Sequence, residues 1–230
     1  MTYLFLDDFS RRKLQVKRYL AVVSRTEREA KSGQGRKIET ERLHVLRAGT
    51  FLILYNLVEA SARGALEGIH DVMAAERVAF SDLTPGLRRE IVKGFMRNGN
   101  PDVHDKMIDV PVEFVTASLD VEYHFSGNVD AKRIREIAAT YGFSIDTDNR
   151  KTHNGKDLLV VKTNRNDLAH GDKTYDEVGR DFTARDLIGI GYRTMSYVEG
   201  ILLNVAKYLD DSAYKNVDID QAEAEEAAMT

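Results

Sequence analysis

The longest periodic stretch of the chain, residues 39 to about 76, constrains the fold more than any other feature. Apolar and small residues recur there every three or four positions, the spacing that places side chains on one face of a helix. Gly64 and Gly68 lie beside the second half of this stripe, so we expect another helix to pack closely there. The recurring residues are Leu43, Leu46, Thr50, Leu54, Leu57, Ser61, Ala65, Ile69 and Val72.

A second long stripe lies near the C-terminus and begins at a helix-start signal. The residues Thr183-Ala184-Arg185-Asp186 resemble a capping box with Asp in the place of Glu. Two long amphipathic helices combined with shorter ones predict a mainly α fold of the bundle type. The apolar and small positions behind the capping box are Leu187, Gly191, Met195, Val198, Leu202, Val205 and Leu209.

Residues 8 to about 30 are predicted to form a basic N-terminal helix. We expect Asp7 or Asp8 to cap its start, and the stretch Ser32-Gly33-Gln34-Gly35 to end it. Residues 11 to 37 hold ten Lys and Arg against two Glu, a local net charge of +8. Two interpretations of that charge are open: a solvated surface, or a surface that follows phosphates.

The middle of the chain is predicted to hold two short helices and one ambiguous segment. Thr84-Pro85 is a helix start with Thr84 as the N-cap. Asn128 is expected to cap a second helix that ends at Gly142. Between them, residues 110 to 125 are rich in β-branched and aromatic side chains, which favours extended structure, with one small hairpin as a possible arrangement.

The composition excludes several classes of site. The chain has no cysteine, which rules out disulfides, thiolate zinc sites and a cysteine nucleophile. It also lacks the glycine-rich nucleotide loops and the His-Glu-x-x-His metal motif, so we expect no metal and no cofactor. We find no signal peptide and no uninterrupted apolar stretch of about 18 residues, and we expect a cytoplasmic protein without a membrane partner.

The charge distribution suggests where the domain ends. The net charge of the 230 residues is −4, and the last fifteen carry five acids and no base. We therefore predict one helical domain over residues 1–216 and an acidic, disordered tail over residues 217–230. An acidic tail can mask, in the total, a basic surface elsewhere on the chain.

The chemistry is expected at the end of a helix that begins at Lys156 and stops at Gly171. Arg165 is a permanent cation there, and His170 can exchange a proton near neutral pH. A reaction at a phosphodiester needs both groups. On a regular helix their five-residue offset separates the side chains by about 140°. Either the helix distorts near Asn166-Asp167, or a second chain brings its own pair alongside.

Neighbouring residues add candidate roles. Asn166 and Asp167 precede His170 by four and three residues, so either could hydrogen-bond the ring and fix its tautomer. Residues 150–173 carry a local net charge of +3. The alternative interpretation is an exposed helix end, with His170 near the C-terminal dipole. The candidate RNA-binding residues in this region are Arg150, Lys151, Lys162 and Lys173.

The segment Lys162 to Gly171, with the long helix after it, resembles the HEPN superfamily. The signature of that superfamily is Arg, a polar residue, a short spacer and His in an α-helical bundle, which Arg165-Asn166 and His170-Gly171 match. The segment His124 to Phe143 and the stretch Tyr55-Asn56-Leu57-Val58-Glu59 are similar to the MAE-type branch. The resemblance is strong over about 150–210, weaker over 40–145 and poor before 38.

The resemblance implies a HEPN-type bundle with two long antiparallel helices that forms a homodimer with the motif at its interface. It also implies a metal-independent RNA endonuclease, often a toxin or antiphage effector. Arg165 would stabilise the scissile phosphate, His170 would be the general acid and base, and Asn166 would support the geometry. Attack by the RNA 2′-OH would leave a cyclic phosphate and a 5′-hydroxyl.

The partners that the resemblance implies are RNA, a second copy of the chain and a neutralising, antitoxin-like protein. In some members a partner nucleotidyltransferase modifies a tyrosine two residues after the histidine. Here that position is Asp172 and the nearest tyrosine is Tyr175, which puts this form of control in doubt. The alternative function is a non-catalytic HEPN-type module that binds a protein partner or nucleotide, favoured by the net acidity and the missing aromatic platform. A structural dimer without a ligand is a third hypothesis.

Overall fold

The computed structural model describes residues 3–31, 37–98, 125 and 128–216. Within these ranges the regular structure is helical, apart from one isolated bridge between Leu83 and Lys215. This confirms the all-α prediction for the described residues. The helices are α1 Leu4–Glu29, α2 Lys37–Ala75, α3 Pro85–Asn98, α4 Ala131–Tyr141, α5 Asn149–Thr152, α6 Lys156–His170, α7 Tyr175–Arg180 and α8 Ala184–Asp210. Single 3-10 turns cover Phe80–Asp82 and His153–Gly155.

The first two helices pack side by side in opposite directions. The Tyr19 hydroxyl, late in α1, donates a hydrogen bond of 2.8 Å to the Leu46 carbonyl, early in α2. A Cβ atom added to Gly68, late in α2, would lie 2.7 Å from the Phe5 ring, early in α1. The close helix contact predicted beside Gly64 and Gly68 is therefore confirmed, and α1 is the helix that makes it.

The C-terminal helix α8 also runs antiparallel to α1. Near its start, the backbone N–H of Ala184 donates to the Glu27 carboxylate at 2.5 Å. Further along, Lys13 and Glu199 form an ion pair of 2.6 Å. The antiparallel pairs of long helices are thus α1 with α2 and α1 with α8, while α2 and α8 run in the same direction.

The core lies between these helices and follows the predicted stripes. All seven predicted positions of α8 are buried, and in α2 only Leu46 and Val72 are partly exposed. By length and composition α2 passes for a membrane span, with a mean hydropathy of 1.2 in its best window, half of which is buried inside the protein. Its packing against α1, α6 and α8 accounts for that apolar composition.

Two helix starts differ from the prediction in detail. The first helix begins at Leu4 with Tyr3 as its N-cap, so the expected capping by Asp7 or Asp8 is wrong, and Asp8 pairs with Arg12 one turn later. The third helix begins at Pro85 as predicted. The buried Thr84 hydroxyl, however, has no hydrogen-bond partner in the described part of the chain, so it does not cap α3.

Some predictions fall outside the described residues. These are the break at residues 32–36, the possible hairpin before Phe125 and the acidic tail from 217 to 230. The boundary of the domain at residue 216 therefore stays a prediction. The predicted ends of α4 and α6 are confirmed, since Gly142 and Gly171 have left-handed backbones with φ of 95° and 78°.

Candidate active site

The motif lies on α6, which is helical without interruption from Lys156 to His170. A left-handed glycine stands at each end, Gly155 with φ 74° and Gly171 with φ 78°. Because the helix passes through Asn166 and Asp167 without a break, Arg165 and His170 project from it about 140° apart. Of the two alternatives considered for this pair, the local distortion is not present.

Arg165 lies on an aromatic floor provided by α2. Its guanidinium carbon is 4.4 Å from the centroid of the Tyr55 ring, which is fully buried. Its Nη1 donates a hydrogen bond of 3.0 Å to Oδ1 of Asn166. In the described residues, no carboxylate lies within ion-pair distance of this guanidinium. Its positive charge is therefore held in place by neutral groups and is not cancelled.

The loop before α4 joins this arrangement to both helices. Asn166 Nδ2 donates to Asn128 Oδ1 at 3.4 Å, and the backbone N–H of Val129 donates to the Tyr55 hydroxyl at 3.1 Å. We call Tyr55, Asn128, Arg165 and Asn166 the arginine site. It brings together three segments that are far apart in the chain.

Asp130 corrects the predicted cap of α4 and anchors the same loop. Its carboxylate accepts from the backbone N–H of Arg133 at 2.9 Å, so Asp130 is the N-cap and the expected capping by Asn128 is wrong. Asn128 instead turns its side chain toward Asn166. Burial opposes ionisation of Asp130, but the ion pair with Lys162 and the backbone N–H bonds outweigh it and lower the pKa of this carboxyl.

His170 occupies the last position of α6 and is exposed to solvent. Neither predicted supporter reaches its ring: Asn166 bonds within the arginine site, and the Asp167 carboxylate forms an ion pair of 2.9 Å with Lys173. A lysine ammonium is a stronger attractor for a carboxylate than a neutral imidazole N–H. The expected tautomer control of His170 by Asn166 or Asp167 is therefore absent within one chain.

The four candidate RNA-binding residues do not form one patch. Lys162 and Lys173 flank the motif, and each is paired with an aspartate. Arg150 and Lys151 are exposed in α5, at the opposite end of α6 from His170. Since a 15-residue helix is about 22 Å long, these two cations are too far from His170 to contact a phosphate held beside it in the same chain. They are candidates only for a longer RNA.

The basic face of α1 is partly neutralised by ion pairs. Acidic partners from α1 itself and from α8 lie within 3.1 Å of four of its seven Lys and Arg, and of Lys31 just after the helix, which favours the solvated-surface interpretation over phosphate tracking. These pairs are Arg11–Asp8, Arg12–Asp8, Lys13–Glu199, Arg25–Glu29 and Lys31–Glu27.

Two residues of the family-like stretch 55–59 have no observed role at the motif. Asn56 and Glu59 line a groove of about 780 Å³ between α1 and α2, and neither hydrogen-bonds to Arg165 or His170. The residue that sequence reasoning missed is their neighbour Tyr55, which supplies the floor of the arginine site. In the described part of the chain, no three His, Asp or Glu side chains cluster in a way that could hold a metal ion.

The chain matches the model of the family described as HEPN_MAE_28990-like HEPN over residues 1–214. No curated protein and no solved structure matches the chain. The match includes the N-terminal helix, where the resemblance in the sequence is poor.

Proposed function

The chain belongs to the HEPN_MAE_28990-like HEPN family, and we propose that it is a metal-independent RNA endonuclease with Arg165 and His170 as its catalytic residues. The observation that carries this proposal is the uncompensated guanidinium of Arg165. Because an aromatic ring and an amide fix this cation without a compensating carboxylate, its charge is available to an incoming anion. Phosphoryl oxygens match the planar donors of arginine.

The proposed reaction uses one cation and one proton carrier. The 2′-oxygen of the ribose attacks the adjacent phosphorus while a base removes its proton. The bond from phosphorus to the 5′-oxygen breaks, and an acid protonates that oxygen. His170 exchanges these protons, and Arg165 stabilises the negative charge that develops on the phosphoryl oxygens. The products are a 2′,3′-cyclic phosphate and a 5′-hydroxyl.

A second copy of the chain supplies the convergence that one chain lacks. Because Arg165 and His170 diverge on α6, they reach one phosphate only when a two-fold partner brings its motif alongside. The exposed position of His170 leaves its ring accessible to such a partner. As a nuclease controlled by assembly, the protein would act as a toxin or antiphage effector in the cytoplasm.

Chelator-resistant RNA cleavage tests the catalytic assignment. We expect wild-type protein to cleave RNA in excess chelator, and Arg165→Ala and His170→Ala to lose about 100-fold or more of the rate. The control is Arg185→Ala, which removes an exposed arginine at the start of α8. Equal cleavage by all four proteins would remove the assignment, and products with a 3′-hydroxyl and a 5′-phosphate would contradict the mechanism.

Mixing the two inactive variants tests the shared site. If each site combines Arg165 of one subunit with His170 of the other, a mixed dimer of Arg165→Ala and His170→Ala contains one intact pair. We then expect the mixture, after subunit exchange, to regain between a quarter and a half of the wild-type rate. No recovery after proven exchange would contradict a composite site.

The alternative function is a non-catalytic HEPN-type module that binds a protein or nucleotide. The observation in its favour is that no described residue orients the His170 ring. Purified wild-type protein that binds RNA with a steep salt dependence and does not cleave it would support this alternative over the nuclease.

A further inference from the structure

The arginine site forms a closed ring of contacts that begins and ends at Tyr55. The Tyr55 ring supports the guanidinium of Arg165 at 4.4 Å, Arg165 donates to Asn166, and Asn166 donates to Asn128. The residue after Asn128 returns to Tyr55, since the Val129 N–H donates to its hydroxyl at 3.1 Å. The buried Tyr55 side chain therefore holds both the Arg165 guanidinium and the loop of Asn128, whose side chain accepts from Asn166.

We propose that Tyr55 is a positioning residue for Arg165, setting the guanidinium where it receives a phosphoryl oxygen while leaving its charge intact. This rests on the proposed function. An aromatic face attracts a guanidinium by about 0.5–2 kcal/mol without neutralising it, whereas a carboxylate in the same place would compete with the phosphate. Burial raises the pKa of Tyr55, so its hydroxyl stays protonated and adds no negative charge.

The ring and the hydroxyl of Tyr55 have separable roles. The ring contacts Arg165, and the hydroxyl accepts a hydrogen bond from the Val129 N–H in the loop before α4. Tyr55→Phe keeps the aromatic floor and removes the loop contact, so we expect less than about fivefold loss of cleavage. Tyr55→Leu removes the floor and lets the cation move, so we expect a loss of about 100-fold, chiefly in kcat.

A double-mutant cycle separates positioning from a merely structural role. In the wild-type background, Arg165→Ala is expected to cost about 100-fold or more. If Tyr55 acts through Arg165, the same substitution in the Tyr55→Leu background should cost less than about tenfold, because the aligned cation is already lost. Two losses that multiply would overturn the proposal.

Because Tyr55 is buried, Tyr55→Leu can fail to fold, and an exposed member of the ring gives a second test. Asn128→Ala removes the acceptor of Asn166, which holds Arg165, and should lower kcat about threefold to tenfold with an unchanged melting temperature. The control matched to Tyr55→Leu is Tyr192→Leu. It removes a surface contact in which the Lys17 ammonium lies 6.0 Å from the centroid of the Tyr192 ring. Cleavage unchanged by Asn128→Ala would also count against positioning.

A spectroscopic arm works even if the protein does not cleave RNA. A guanidinium above an aromatic ring has an upfield-shifted N–H signal, which NMR of arginine-labelled protein detects and the Arg165→Lys variant assigns. We expect Tyr55→Phe to keep the shift and Tyr55→Leu to abolish it. A shifted signal without cleavage would end the nuclease proposal and keep the contact, while an unshifted wild-type signal would end the positioning proposal.

Discussion

Two arginines in the bundle are held in opposite ways. Arg47 on α2 is buried, and its Nη2 forms an ion pair of 2.8 Å with Glu27 on α1. Arg165 lies on the Tyr55 ring with only neutral partners in the described structure. The first charge is cancelled and joins helices. The second is fixed but uncancelled, which suits a group that binds an anion.

The Arg47 region shows how much the bundle depends on one cancelled charge. The Glu27 carboxylate also accepts from Lys31 at 2.6 Å and from the N–H of Ala184 at 2.5 Å. Arg47 in turn donates to the Gly179 carbonyl at 3.4 Å. The pair of Glu27 and Arg47 thus connects four helices: α1, α2, α7 and α8.

The largest expected effect is a loss of protein stability on substitution of Arg47, which distinguishes it from Arg165. Arg47→Met keeps an apolar stem but leaves Glu27 buried without its arginine partner, so we expect the free energy of unfolding to fall by about 3 kcal/mol. This is the lower end for breaking a buried pair, because Lys31 and Ala184 still donate to Glu27. Urea unfolding measures it. A change below about 1 kcal/mol would make the two arginines equivalent.

Acid should weaken the Arg47 region in a defined pH range. Burial alone would raise the pKa of Glu27, but hydrogen bonds from Lys31, the N–H of Ala184 and Arg47 outweigh it and lower the pKa from 4.5 to about 2. A lowered folded-state pKa gives stability that is present above about pH 5 and is lost as the pH falls toward 2. The full contribution is on the order of 3 kcal/mol.

Unfolding curves at several pH values measure this contribution, with Glu27→Gln as the reference. We expect the stability difference between wild type and Glu27→Gln to shrink steadily between pH 5 and pH 2. Parallel pH dependences of the two proteins would show that Glu27 does not titrate in this range on unfolding.

The matched substitution at the second arginine should affect catalysis instead of stability. Arg165→Met keeps the stem over Tyr55 and removes a charge that has no described carboxylate partner. We expect about 100-fold loss of RNA cleavage and a change in the free energy of unfolding below about 1 kcal/mol. Loss of stability equal to that of Arg47→Met would remove the contrast between the two regions.

The smallest expected effect comes from giving Arg165 a nearby carboxylate, as Arg47 has in Glu27. Asn128→Asp places a carboxylate one side chain away from the Arg165 guanidinium, through Asn166. Partial cancellation of the charge should weaken binding of a short RNA about fivefold, the factor that corresponds to about 1 kcal/mol. Fluorescence anisotropy in a His170→Ala background measures binding without turnover.

The control for charge alone is Asn149→Asp, which adds the same charge at an exposed position of α5. We expect it to change RNA affinity by less than about twofold at physiological salt, since a distant exposed charge is screened. Equal losses from both substitutions would mean that net charge, and not the arginine site, governs the affinity.

Local signals in the sequence predicted the long helices well, because helical periodicity and capping are local properties. The stripes of α2 and α8 and the capping box at Thr183 are confirmed. A capping box of the same kind, Thr174 with Glu177, starts α7 and could have been found by the same rule. The start of α1 could not, because its N-cap Tyr3 has no capping side chain.

Contacts between segments that are distant in the chain could not be predicted from local signals. Asn128 and Asp130 are both good N-cap residues, and only the position of Asn166 decides that Asn128 turns away and Asp130 caps α4. Tyr55 was visible as part of a family-like stretch, but nothing local connects it with Arg165. The catalytic roles of Arg165 and His170 stay predictions, since they depend on a second chain and an RNA.

The closed ring of contacts at Tyr55 also has a consequence for how such chains diverge. Positions 55, 128 and 166 meet around one guanidinium, so a substitution at one of them changes which substitutions the other two tolerate. Among relatives that retain the arginine, we expect the residues at these three positions to covary. The neighbouring exposed positions of α6 should vary independently of them.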